Sequence, residues 1–170
     1  MTIGPIEIMV LLALLPVVGG SAFASCSETV LFGLRQSERE KLRRERPATA
    51  RRVDELLRDP RGLLVTVLFI NMTSNTLFFV ISSGFILMSN SSPMVEFGFA
   101  VISLVVLVIA GETLPKIVGN VARVQLAGVL SAPLLLAHRI VGPIRRVLDF
   151  VLSARGVFLP KVLLRGLLVW

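Results

Sequence analysis

The sequence predicts an all-α integral membrane fold: three transmembrane helices plus juxtamembrane, interfacial amphipathic helices, N-terminus outside and C-terminus cytoplasmic. Three observations predict it. Hydrophobic residues make up 54% of the 170 and charged ones 17%, against about 25% charged in a typical soluble domain, and mean hydropathy is +0.82. The chain is nonetheless basic, with 18 Lys and Arg against 11 Asp and Glu, a net charge of +7. These two characters are segregated. No Lys or Arg occurs in residues 1–34 or 62–115, ten lie between Arg35 and Arg61, and eight lie from Lys116 onward.

A spanning helix needs about 20 mostly apolar residues. The first span covers about 6–34, where Glu28 is the only charged residue after Glu7. Ala22-Phe23-Ala24 resembles a signal-peptidase site, but the positive n-region of a signal peptide is missing and apolar character continues to Phe32, so the segment reads as a span. The second, about 62–88, carries no charge, and the third, about 97–115, carries only Glu112. Ser89-Asn90-Ser91-Ser92-Pro93 is a turn signal between them. Cationic loops are retained in the cytoplasm. The Arg35–Arg61 loop and the tail from Lys116 therefore lie inside and the Ser/Asn turn outside, which an odd number of spans allows.

The loop, about 36–59, reads as two short helices. Glu38, Lys41, Leu42 and Glu45 sit at helical spacings up to Pro47, and Val53, Leu56 and Leu57 recur at i, i+3, i+4 until Asp59-Pro60 ends the second helix. A solvated hairpin fits the first helix as well. In the tail, about 121–155, the apolar stretch Val124–Ala137 is short and interrupted by Pro133. Ile140, Val141, Ile144, Val147, Leu148 and Val151 make a stripe beside Arg139, Arg145 and Arg146. Such a segment suits an interfacial helix better than a fourth span, which would carry arginines outside. Gly156–Trp170 reads as another interfacial segment, with Trp170 at headgroup level.

A basic surface also suits nucleic acid, but here the cations flank apolar runs and no aromatic interleaves with them, so no nucleic-acid partner is expected. One Cys, Cys26, and one His, His138, leave no disulfide and no zinc cluster. No nucleophile–base pair or phosphate-binding loop appears, and no enzymatic activity is expected.

Ionisable residues inside a span cost about 2.5–3.5 kcal/mol or more and mark function. Glu28 and Glu112 are the two. Ser21, Ser25 and Glu28 share one face of the first span, with Ser27 nearby. Asn71 and Asn75 are one turn apart on the second, near Thr73, Ser74 and Ser82. Pro115 has no N–H for the carbonyl of Gly111, four residues back, and that freed oxygen can face a cavity. Carboxylate, amide and hydroxyl oxygens suit a hard cation such as Mg²⁺, and Na⁺ accepts the same set. The same residues also fit helix packing: serines and asparagines as interhelical glue, Glu28 paired with Arg35, Glu112 paired with Lys116 at i+4.

Three stretches carry a family resemblance: Ser21-Ala-Phe-Ala-Ser25-Cys-Ser27-Glu28-Thr, Asn71-Met-Thr-Ser-Asn75, and Gly111-Glu112-Thr-Leu-Pro115-Lys116-Ile-Val-Gly119. In order and spacing they resemble the transmembrane domain of the CorC/cyclin M (CNNM) magnesium-transporter family, over about residues 6–150. The resemblance implies a homodimer of three-span subunits in the plasma membrane, exporting Mg²⁺ in exchange for Na⁺ through an inward-facing cavity. It implies a metal site of Ser21, Ser25, Ser27, Asn71, Asn75, Gly111 and Glu112, with Glu28 and Lys116 either ligating or bracing. Cys26 stands where the family usually has a smaller residue, and Met72 where a second Asn is frequent. Family members continue into CBS domains, which this sequence lacks, so all of 1–170 is expected to be one transmembrane domain, either separated from a longer protein or a short natural protein, the former being the better fit. A second functional reading is a non-transporting anchor that modulates another ion-transport protein.

Overall fold

A computed structural model describes residues 5–88 and 92–154, and every element among them is helical. Ser89–Ser91 of the Ser/Asn turn and all of Gly156–Trp170 lie outside the described residues. The elements are α1 (Pro5–Gly33), α2 (Gln36–Glu45), α3 (Pro47–Leu56), α4 (Pro60–Met88), α5 (Pro93–Val106), a π-helical segment (Leu107–Thr113), α6 (Leu114–Val121) and α7 (Arg123–Ala154). Four stretches are long and apolar enough to cross a membrane: Leu12–Gly33, Pro60–Leu87, Pro93–Val121 and Arg123–Pro143.

Helix α1 is the axis of the bundle, packing on α4, the π-helical segment, α6 and α7. Two apolar clusters bracket it. At the end where α2 and α3 join α1 to α4, hereafter the basic end, Ala24, Val30 and Leu31 pack with Leu42, Ala50, Val53, Leu56, Leu63, Val67, Ala127, Leu130 and Leu134. Toward the far end Leu14, Phe78 and Leu107 form a smaller cluster. The rest of α4 and α5 turns large apolar side chains outward, among them Met72, Val80, Phe97 and Ile102. That face matches a lipid surround, where no apolar residue needs covering.

The α2–α3 hairpin forms because Pro47 starts α3 at its first turn, where its missing N–H costs nothing. The Glu38 carboxylate accepts the Arg35 N–H at 2.8 Å, closing the start of α2. Asp54 ties the two helices, accepting from Arg39 at 2.7 Å and Arg43 at 3.1 Å. These two guanidiniums hold the Asp54 carboxyl below its ordinary value of 3.8, the Arg39 hydrogen bond contributing most. Asp59-Pro60 does more than end α3. The Asp59 Oδ1 accepts the Gly62 N–H at 3.0 Å, so it caps α4, with Pro60 in the first helical position.

Helix α7 departs from the sequence reading. Pro133 does not interrupt it; the helix runs through both Pro133 and Pro143 to Ala154. Both prolines sit on its exposed side, away from the buried face of Ala127, Leu130, Leu134 and Val141. Each therefore removes one backbone bond without disturbing the packed side. In the predicted stripe Val141 is buried but Ile140 is 64% exposed. Among the described residues α7 makes polar contacts with the basic end. Arg123 donates to the Gly33 carbonyl at 3.0 Å, a β-carbon on Gly128 would lie 3.0 Å from the Arg46 guanidinium, His138 Nδ1 is 3.1 Å from Thr66 Oγ1, and Arg139 pairs with Glu55 at 3.2 Å.

Candidate cation site

Between the two apolar clusters lies a polar layer built by three helical segments. Helix α1 presents Ser21, fully buried. Its Oγ lies 2.8 Å from Asn71 Oδ1, 2.9 Å from Asn75 Oδ1 and 3.4 Å from the Gly111 carbonyl oxygen. Asn71 and Asn75 project from the same face of α4, one turn apart. Asn75 works in two directions: its Nδ2 donates to Glu112 Oε1 at 3.0 Å while its Oδ1 faces Ser21.

The π-helical segment explains how a backbone oxygen reaches this layer. In its wider turn the Leu114 N–H bonds back to the Ile109 carbonyl, five residues away. The next residue, Pro115, has no N–H and so cannot close the four-residue bond to the Gly111 carbonyl. That carbonyl oxygen lies 3.4 Å from Ser21 Oγ. Close approach also requires glycine. A β-carbon on Gly111 would sit 3.1 Å from Ser21 Oγ and 3.3 Å from Leu107 Cδ1.

A hydroxyl has one proton to donate. Ser21 can therefore donate to one of these neighbours, while its oxygen and the Asn71, Asn75 and Gly111 groups converge on one point. Glu112, one hydrogen bond away through Asn75, is the one carboxylate beside them. Among the described residues no group of three or more His, Cys, Asp and Glu is arranged to hold a metal, so any cation here is held by hydroxyl, amide and carbonyl oxygen around one carboxylate.

Of the residues singled out in the sequence, Ser21, Asn71, Asn75, Gly111 and Glu112 come together. Ser25 is buried one turn along the same face of α1, its carbonyl accepting the Thr29 hydroxyl at 3.1 Å. Ser27 lies about 120° around the helix from Ser21, fully buried, its hydroxyl without a hydrogen-bond partner. It is outside the cluster. Glu28 pairs with Lys116 at 3.9 Å, not with Arg35, and Glu112 bonds Asn75 rather than Lys116.

Two features went unread in the sequence. Gly20 lets α1 and α4 touch: a β-carbon there would meet Ser74 Oγ at 2.7 Å. Its signal was the small-residue spacing Gly20-xxx-Ala24. Gly119 plays a similar part, packed against Cys26 and Val30, with a β-carbon clearance of 3.3 Å.

These features define a multi-pass helical membrane domain with an oxygen-rich layer at mid-depth. The chain belongs to the CNNM family, whose Cyclin M transmembrane N-terminal domain matches residues 11–159, a family of membrane proteins related to cation transport. No curated protein and no solved structure matches the chain.

Proposed function

We propose that this domain transports Mg²⁺, exporting it from the cytoplasm in exchange for Na⁺, as a subunit of a homodimer in the plasma membrane. One observation carries the reading: Ser21 Oγ meets the Asn71 and Asn75 amides and the Gly111 carbonyl at 2.8, 2.9 and 3.4 Å, beside a Glu112 carboxylate that takes the Asn75 amide and no Lys or Arg among the described residues. Hydroxyl, amide, carbonyl and carboxylate oxygens suit a hard cation, and Mg²⁺ keeps several waters and takes one or two carboxylates. Glu112 supplies the charge, and the Asn75 amide holds it beside the layer. A mere anchor has no use for such a layer, since polar groups at that depth are costly.

Three spans with α7 interfacial remains the topology we favour. From Arg123 to Arg139 α7 extends about 24 Å, yet its partners Gly33, Glu55 and Thr66 all belong to the basic end. A helix crossing the bilayer beside α4 would leave that end behind. The nine cations between α1 and α4, with Arg61 at the start of α4, support a cytoplasmic basic end, because cationic loops are retained there.

The test is Mg²⁺ flux in proteoliposomes loaded with a Mg²⁺-sensitive dye. Wild type carries Mg²⁺ across; Asn71→Ala and Glu112→Ala, still folded by size-exclusion profile, do not. Equal flux from both variants would sink the proposal.

A further inference from the structure

Toward the basic end, two helical turns from Ser21 on α1 and one turn from Glu112, Glu28 faces Lys116 on α6, Oε2 to Nζ 3.9 Å. They line a cavity of about 400 Å³ together with Thr29, Phe32, Gly33 and Leu64. Neither side chain is locked into the bundle: Lys116 is 50% exposed and Glu28 37%. The pair therefore stands at the mouth of an open cavity, with Glu112 one turn before Lys116 along the same helical run.

Resting on the Mg²⁺ reading above, the geometry points to a second cation station at this mouth. It holds a hydrated divalent cation through its water shell, with Glu28 as anchor and Lys116 as the counter-cation that the incoming ion displaces. Size and chemistry both favour a hydrated ion. Six waters occupy about 180 Å³ at some 30 Å³ each, well within the cavity of about 400 Å³. The walls offer too few oxygens to replace that shell. Phe32 and Leu64 are hydrocarbon, and the Thr29 hydroxyl, whose proton goes to the Ser25 carbonyl at 3.1 Å, keeps its oxygen as an acceptor. The Glu28 carboxylate and this one hydroxyl oxygen accept hydrogen bonds from the ion's waters. Mg²⁺ dehydrates reluctantly, so a station that leaves its shell intact is a natural stop before the oxygen layer.

Lys116 has a definite part in this. With no ion at the mouth its ammonium neutralises Glu28, which would otherwise stand as a lone charge beside apolar walls. A cation must compete with it, so the station binds weakly and releases readily, as a conduction path needs. Glu28 and Lys116 thus neither ligate the mid-depth ion nor simply brace two helices.

Hexaamminecobalt(III) tests this directly. It has the octahedral shape of hydrated Mg²⁺ but does not exchange its ligands, so it cannot enter the Ser21 layer, and its binding reports the mouth alone. Isothermal titration of the purified chain should show binding that Glu28→Gln weakens about tenfold and Lys116→Gln tightens about threefold. Asn75→Ala, in the Ser21 layer, should leave the probe's affinity unchanged even where Mg²⁺ binding is lost. The exposed Lys116→Gln change keeps the test decisive if Glu28→Gln fails to fold. No probe binding by wild type, wild-type affinity in Glu28→Gln, weakened affinity in Lys116→Gln, or loss of the probe in Asn75→Ala would each overturn the proposal.

Discussion

At the basic end of the bundle, two acids have cations of the same chain beside them: Asp54 takes Arg39 and Arg43, and Glu55 takes Arg139. In the Ser21 layer the one acid, Glu112, has only the Asn75 amide, next to a hydroxyl, a second amide and a backbone carbonyl. Both regions are polar and both join separate helices. In the first each of these carboxylates is neutralised within the fold. In the second no cation among the described residues pairs with the carboxylate. A neutralised carboxylate against one left without a cation, rather than polarity itself, separates the structural cluster from the one we propose for function.

The contrast can be broken most severely at Asn75. Asn75→Ala removes an oxygen from the Ser21 layer and the donor that holds Glu112, so Mg²⁺ affinity should fall about 100-fold. A titration of the purified variant checks this, with melting within a few degrees of wild type. Gly111→Ala should act next most strongly. Its methyl group, 3.1 Å from Ser21 Oγ and 3.3 Å from Leu107, forces the third segment away, costing about 1–3 kcal/mol of stability and about tenfold in affinity. Thermal unfolding and titration of the same sample read both effects. Gly20→Ala sharpens the comparison from the packing side. The added carbon meets Ser74 Oγ at 2.7 Å, so α1 and α4 must part or Ser74 must turn, destabilising by about 1–3 kcal/mol with a smaller loss of affinity than at Asn75.

The smallest effect belongs to the neutralised carboxylates. Asp54→Asn should cost about 0.5–1 kcal/mol and leave Mg²⁺ affinity unchanged. It should also alter the acid limb of stability. The two arginines lower the folded Asp54 value, so its contribution is fully present above the unfolded value and disappears as pH falls through the lower folded one. The variant should lose less stability than wild type across that acid range, as measured by denaturation at a series of pH values.

Much of this was legible in the sequence because it depends on one helix at a time. The apolar run at about 62–88 anticipates α4 at Pro60–Met88, and the i, i+4 spacing of Asn71 and Asn75 sets their common face. Gly111 with Pro115 predicted a freed carbonyl, and that oxygen does face Ser21. What the sequence withheld depends on neighbours. Spacing alone offered Lys116 to Glu112 and Arg35 to Glu28, whereas helix packing hands Glu112 to Asn75 and Lys116 to Glu28. The π-helical turn was hidden for a related reason, since that segment and α6 are packed on α1, which spacing along one helix does not show. Pro133 misled because a proline's effect depends on which side of the helix it occupies; on the exposed side of α7 the helix continues past it.

The central claim is that the oxygen-rich layer at Ser21 is a cation site, and Mg²⁺ titration of purified wild type beside Ser21→Ala tests it most directly. The account predicts saturable binding by wild type and its loss in a variant that remains folded. Equal Mg²⁺ binding by the two proteins would contradict it.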